Sequence, residues 1–373
     1  MRGDSAKDHT VVHKRSSEIR QFILDNIRAS GGAIVGMTAE HYKISRSSVR
    51  KHVAKLVEAG LLEAEGPSHA RNYSLKPIMV KSVREDITPD LQEDFVYQRT
   101  FGAVLKDLTS NVADLCHYGF TEILNNAIHH SKGNTVFVRV TLTASDIEFI
   151  VMDDGLGAFN TILPLVKFDD RHHAVLELVK GKLTTDPKKH SGEGLFFTSR
   201  CFDQFTISCS GITLEAGADR EWSIGSARLA PQDGTFVSMR IARNSNRTFH
   251  GVIESFTASH DNDYSFSRTE VPVNSARLEA GALTSRSQAT RLLSRLNGFK
   301  EVVLDFKGVP TIGQGFADEI FRVFALENPK VMLSHKNANP AVTHMIKRAR
   351  AGAATTFTSA VVDASQLRET QVA

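Results

Sequence analysis

The feature that most narrows the fold is a strand that stops at two carboxylates and two glycines. Ile147 to Met152 reads as an apolar strand, and Asp153-Asp154-Gly155-Leu156-Gly157 follows it directly. An Asp at a strand end can accept a hydrogen bond from an exocyclic amine, and glycines just beyond it let the backbone pass close to a ligand. Taken alone, the segment reads as an ordinary β-turn, where Asp-Gly is common. Three other segments bear on it. In Glu122-Ile123-Leu124-Asn125-Asn126-Ala127-Ile128-His129-His130, Glu122 and Asn126 lie four residues apart and share a helix face. An amide oxygen is a hard ligand suited to phosphate-bound Mg²⁺, and a carboxylate one turn away can position or activate a nucleophile. Alone, this too is a polar helix face. In Ser191-Gly192-Glu193-Gly194-Leu195-Phe196-Phe197 glycines run into a helix start, where backbone N–H groups and the helix dipole favour phosphate. Gly234-Thr235 then enters the last strand of the region.

Order and spacing turn four weak signals into one. The segments resemble, in sequence order, the N, G1, G2 and GT motifs of the GHKL ATPases, whose Bergerat fold serves gyrase, histidine kinases and anti-sigma-factor kinases. The first segment looks most like that of the anti-sigma-factor kinases. The resemblance implies an α/β sandwich that binds ATP and Mg²⁺. It assigns the metal to Asn126, adenine recognition to Asp153, and the general base, in members that hydrolyse or transfer phosphate, to Glu122. Gly155 and Gly157 would border the base, Gly192, Gly194 and Leu195 the phosphates, and Thr235 the adenine end. Ala158 to His190 would be the lid over the nucleotide. Its Lys182, Lys188, Lys189 and His190 either meet phosphate or form a solvated charged loop. His129, His130, His172 and His173 lack a thiol or carboxylate at metal-ligand spacing, which favours surface or phosphate-facing histidines.

Two further units flank this one. Ile19, Phe22, Ile23 and Ile27 recur at helical spacing, a segment from Thr38 to Lys43 follows, and a helix runs from Arg46 to Ala59 with Gly60 as its stop. Leu61 to Gly66 and Arg71 to Leu75 read as a two-stranded wing. Ile44 to Leu62 resembles a winged helix-turn-helix. Val49, Val53, Leu56 and Val57 form its buried stripe. The resemblance leaves Arg46, Ser47, Arg50 and Lys51 on the outer face, where a recognition helix meets DNA. Protein contact is the other use of such a helix. Near the C-terminus, Val302-Val303-Leu304-Asp305-Phe306-Lys307-Gly308-Val309 and Ile312-Gly313-Gln314-Gly315-Phe316-Ala317-Asp318-Glu319-Ile320-Phe321 resemble a STAS-like domain, the fold class of anti-anti-sigma factors. Phosphorylated members carry serine in the turn that here reads Gly313-Gln314-Gly315, with Thr311 the nearest hydroxyl. This departure favours binding or packing over a phospho-switch.

The expected architecture is therefore multidomain, α+β and α/β: a winged helix over residues 11–80, a GHKL domain over 91–244 and a STAS-like domain over 264–359. Polar stretches after Lys76 and from Asn244 to Asp263 are expected as connectors. A net charge of +3 is too small for wholesale nucleic-acid binding, so any basic patch is local. Met1 to Lys14 is polar without the apolar core of a secretory signal, and no run approaches the roughly 18 apolar residues of a membrane helix. Cys116, Cys201 and Cys209 fit neither a disulfide framework nor a zinc site, which points to a reducing cytoplasm. The leading expectation is a cytoplasmic, nucleotide-gated DNA-binding regulator with possible ATPase activity. The alternative is an anti-sigma-type serine/threonine kinase acting on a separate protein, with the STAS-like domain as the protein-binding part. A histidine kinase ranks last, because no His-Glu or His-Asp phosphoacceptor pair precedes the ATP segment.

Overall fold

The computed structural model describes residues 4–67, 71–102, 108–165, 171–183, 192–217, 220–226, 233–257, 266–276 and 282–351. The chain begins with α1 (Asp4–Ser30), α2 (Ile34–Tyr42) and α3 (Arg46–Glu58). α2 closes on Lys43 in the left-handed region at φ 53°, and α3 opens on Ser45, whose hydroxyl accepts the Ser48 N–H at 3.1 Å. That tight turn sets α3 across α1, and Ile23, Ile27, Val49, Val53 and Leu56 bury together beneath it. Strands β1 (Leu62–Glu65) and β2 (Asn72–Leu75) form an antiparallel hairpin beside the helices.

The expected connector after Lys76 is instead a strand. β3 (Met79–Asp86) pairs antiparallel along its whole length with β4 (Thr135–Leu142). Its polar side chains hid it, because an edge strand needs only one half-buried face. β5 (Asp146–Asp153), β6 (Gln204–Cys209), β7 (Ile212–Gly217), β8 (Arg220–Ser226) and β9 (Thr235–Ala242) complete an antiparallel sheet in the order β3-β4-β5-β9-β6-β7-β8. Val136, Val138, Val140, Phe149, Val151, Val237 and Met239 alternate onto the buried face. On that side lie α4 (Glu93–Phe101), α5 (Ser110–His130), the short α6 (Ala158–Ile162), α7 (Arg171–Lys180) and α8 (Gly194–Cys201). The supposed linker from Asn244 holds α9 (Phe249–Ser255), capped by the Thr248 hydroxyl on the Gly251 N–H at 3.1 Å.

The C-terminal unit is a three-stranded parallel sheet, β10 (Arg268–Pro272), β11 (Glu301–Asp305) and β12 (Met332–Lys336), in sequence order. α10 (Arg286–Leu293) opens with a Ser285/Gln288 capping box. α11 (Gln314–Asp318) runs into a π-helical turn over Glu319–Phe324, and a last helix covers residues 340–351. The central and C-terminal units share one continuous apolar core. Phe266 sits between them, its ring centroid 4.6 Å from that of Phe196, tilted, and 5.2 Å from that of Phe299, edge to face. No described helix is long and apolar enough to cross a membrane.

Candidate functional site

Asp153 closes β5 beside the start of β9. Its Oδ1 accepts the backbone N–H of Gly155 at 3.0 Å and of Thr235 at 3.2 Å. Burial raises its carboxyl above the ordinary 3.8, against the lowering effect of those hydrogen bonds. Asp154 turns the other way. It accepts from the Asn134 N–H, the Thr135 N–H and the Thr135 hydroxyl, which hold its carboxyl low and tie the end of β5 to the start of β4. Of two adjacent aspartates, then, one faces the interior of the site and the other staples its rim.

Asp153 lines a cavity of about 410 Å³ together with Glu122 and Asn126 from α5, Gly192, Gly194 and Leu195 at the start of α8, and Thr235. The volume lies in the 300–1,000 Å³ range of small-molecule sites. Segments far apart in the chain thus meet around one space. The Asn126 amide has no hydrogen-bond partner among the described residues and is open to a ligand. Gly155 and Gly157 are buried and are not among the residues that line the cavity; the Gly155 carbonyl accepts the Gly234 N–H at 2.6 Å. A side chain at Gly155 would run into the Ser131 carbonyl, and one at Gly194 would overlap the Glu122 carboxylate. The Glu122 carboxylate thus lies against the first turn of α8. That helix starts without a side-chain cap, so its leading N–H groups are available to an anion.

The electrostatics are one-sided. Glu122, Asp153 and Glu193 line the cavity, and among the described residues no lysine or arginine does. Burial raises the Glu193 carboxyl, with Lys182 pulling the other way. The Asn126 amide oxygen, also in the lining, is a hard donor of the kind a divalent cation takes. No group of three or more His, Cys, Asp or Glu side chains able to hold a metal by itself occurs among the described residues.

The positions expected to form a lid divide. Leu178 and Leu183 line the cavity, but Lys182, a candidate phosphate contact, points away. Its ammonium donates to the Gly298 carbonyl at 3.3 Å and lies 4.6 Å from the Phe299 ring centroid. His130 lines the cavity, whereas His129 is exposed. Lys188, Lys189 and His190, and the side chains of His172 and His173, fall outside the described residues. Tyr118, Phe249 and Ile253 form an apolar wall beside Glu122 that sequence reasoning missed, with the Tyr118 and Phe249 rings 4.2 Å apart. The spacing of Phe249 and Ile253, one helical turn apart in a polar stretch, was the available signal.

On the first unit, Arg46, Ser47, Arg50 and Lys51 are all exposed along α3, opposite Val49, Val53 and Leu56. In the C-terminal unit Gln314 begins α11 as an exposed residue, and Thr311 is exposed just before it. Cys116, Cys201 and Cys209 are free and buried. No curated protein matches the chain. Residues 288–343 match the family described as a STAS-like domain of unknown function (DUF4325). The matched span runs from α10 through β11, α11 and β12 into the last helix, so the C-terminal unit is a STAS-like domain.

Proposed function

We propose that this chain is a cytoplasmic ATP-binding regulator: a GHKL-type nucleotide site, covering residues 91–244, between a winged-helix DNA-binding unit and the STAS-like domain. The observation that carries the reading is the cavity itself. Asn126, Asp153, the Gly192–Leu195 helix start and Thr235 come from four separate segments and line one nucleotide-sized space. In this reading Asp153 receives the adenine amine, Asn126 binds Mg²⁺, the first turn of α8 receives phosphate oxygens, and Glu122 orients the attacking group. Mg²⁺ would supply the positive charge that the described lining lacks. The exposed Arg46, Ser47, Arg50 and Lys51 would contact DNA, with phosphate contacts giving the affinity its salt dependence.

A protein kinase of the anti-sigma type is the second reading, favoured by one observation: the Glu122 carboxylate lies against Gly194, where a terminal phosphate and its acceptor would meet. Its substrate would be a separate protein, because Gly313-Gln314-Gly315 offers no hydroxyl.

The test has three arms on the full chain. Calorimetry with ATP, with and without Mg²⁺, is expected to show metal-dependent binding; no binding in either condition removes the nucleotide site. DNA titrations at one salt concentration, without nucleotide, with ADP and with a non-hydrolysable ATP analogue, are expected to differ. Three superimposable curves would separate the two functions, and no DNA binding at low salt would move α3 to protein contact. Radiolabelled ATP, with protein alone and with lysate, distinguishes hydrolysis from transfer.

A further inference from the structure

α7 is buried from Ala174 to Lys180, on every face, charged residues included. A helix with water on one side keeps a polar face there, so this one is enclosed by neighbours. One of them is the cavity, which Leu178 lines. The other is the STAS-like domain. Glu177 and Lys180, each 1% exposed, form an ion pair at 2.5 Å. The Lys180 ammonium directs its remaining donors to the carbonyls of Ser294 at 2.9 Å and Arg291 at 3.2 Å, while the Lys180 carbonyl accepts the Thr269 hydroxyl at 3.0 Å. Two residues on, Lys182 is held by the Gly298 carbonyl and the Phe299 ring, and Arg295 donates to the Lys182 carbonyl. Leu183 then lines the cavity again, and a side chain at Gly192 would strike the Leu183 backbone. Residues 178 and 183 thus face the ligand space, while 180 and 182 are fastened to α10 and the loop that follows it.

We propose that the STAS-like domain braces α7 and residues 181–183 against the cavity, so that filling the cavity is transmitted first to residues 291–299 of that domain. This rests on the nucleotide reading above. The route is short: Leu183 and Lys182 are adjacent, one on the ligand and the other on the C-terminal domain. The N-terminal unit attaches elsewhere. Arg28 grips Asp146 through two hydrogen bonds of 2.6 and 2.9 Å at the start of β5, whereas Asp153 ends that strand. Seven residue steps of strand separate them by roughly 23 Å. Coupling between sites is reciprocal, so a protein that docks on the STAS-like domain and pulls on 291–299 changes nucleotide affinity by the factor that nucleotide changes its own.

The test uses the full chain, its Lys182→Ala variant and its Arg295→Ala variant; both side chains are partly exposed and neither lines the cavity. Hydrogen exchange is followed with and without saturating Mg-ATP, and ATP affinity by calorimetry. In the parent, Mg-ATP is expected to slow exchange several-fold in peptides covering 291–299 and to leave α3 nearly unchanged. In either variant the slowing is expected to shrink and ATP affinity to move by about 5-fold or more, the lower end of typical coupling. Equal ATP affinity in all three proteins, with unchanged exchange at 291–299, overturns the brace and leaves the nucleotide site standing. A parent that binds no ATP overturns both.

Discussion

The sharpest perturbation is Asp153→Asn. Asp153 Oδ1 already accepts two backbone N–H groups, from Gly155 and Thr235, so Oδ2 is the oxygen an adenine amine would meet. In the variant the amide oxygen keeps the two backbone donors, because its NH₂ cannot accept them. The NH₂ group then faces the adenine amine, donor against donor. The missing interaction is a hydrogen bond to a charged acceptor, about 1.5–3 kcal/mol. At 1.4 kcal/mol per decade this is a loss of roughly 10- to 150-fold in ATP affinity. Calorimetry with Mg-ATP measures it, and Asp154→Asn is the control: its hydrogen bonds staple the rim outside the cavity, so it is expected to lower stability while affinity stays near the parent value. The same geometry sets a pH dependence. Burial raises the Asp153 carboxyl above 3.8. Protonation turns the acceptor into a donor, so affinity falls as pH drops through this raised value, at less acid pH than an ordinary aspartate would give. In Asp153→Asn that acid limb is expected to vanish. Parent-like affinity in the variant, or an identical acid limb, would refute the assignment of adenine to Asp153.

Three other outcomes follow from named residues. If ATP is turned over, Glu122→Ala is expected to lose about 100-fold or more in rate, the usual cost of a missing general base, while still binding ATP; equal phosphate release removes Glu122 from the mechanism. Lys180→Met takes the ammonium from buried Glu177, whose Oε2 keeps the Arg295 guanidinium at 3.8 Å, and is expected to destabilise the fold by up to about 3–5 kcal/mol, whereas Lys180→Met with Glu177→Leu recovers most of it. Urea unfolding compares them, and coincident single and double curves would show that the pair is not coupled. Alanine at Arg46, Arg50 and Lys51 is expected to weaken DNA binding and to flatten its dependence on log salt by about 0.9 for each phosphate left without its cation; an unchanged slope argues that α3 does not touch phosphate.

What could be read from the residues, and what could not, divides along the range of the interactions. Gly155 is legible because its constraint is strict: any side chain there collides with the Ser131 backbone carbonyl. β4 and β5 are legible because a central strand alternates apolar residues onto a buried face. β7 carried a local signal as well: Ser210-Gly211, with φ 50° and 78°, is a two-residue hairpin turn followed by alternating Ile212, Leu214 and Ala216. β3 and α9 were hidden by polar composition, since an edge strand and a short packed helix each need only a few apolar neighbours.

Lys180 and Lys182 were unreadable for a different reason. A lysine in a charged loop is compatible with phosphate, with water or with a buried partner, and only the partner decides. For Lys180 and Lys182 the deciding carbonyls belong to Ser294 and Gly298, more than a hundred residues away. Burial draws the Lys180 ammonium down to about 8, even with Glu177 holding it charged, so this placement has an energetic cost that a solvated loop would not carry. A costly, directional contact between α7 and the C-terminal domain gives the two a defined mutual geometry. Non-directional apolar packing alone, such as Phe266 on Phe196, would tolerate sliding. α7 therefore has one preferred seat on the STAS-like domain, and whatever shifts α7 has to break that seat or carry the domain with it.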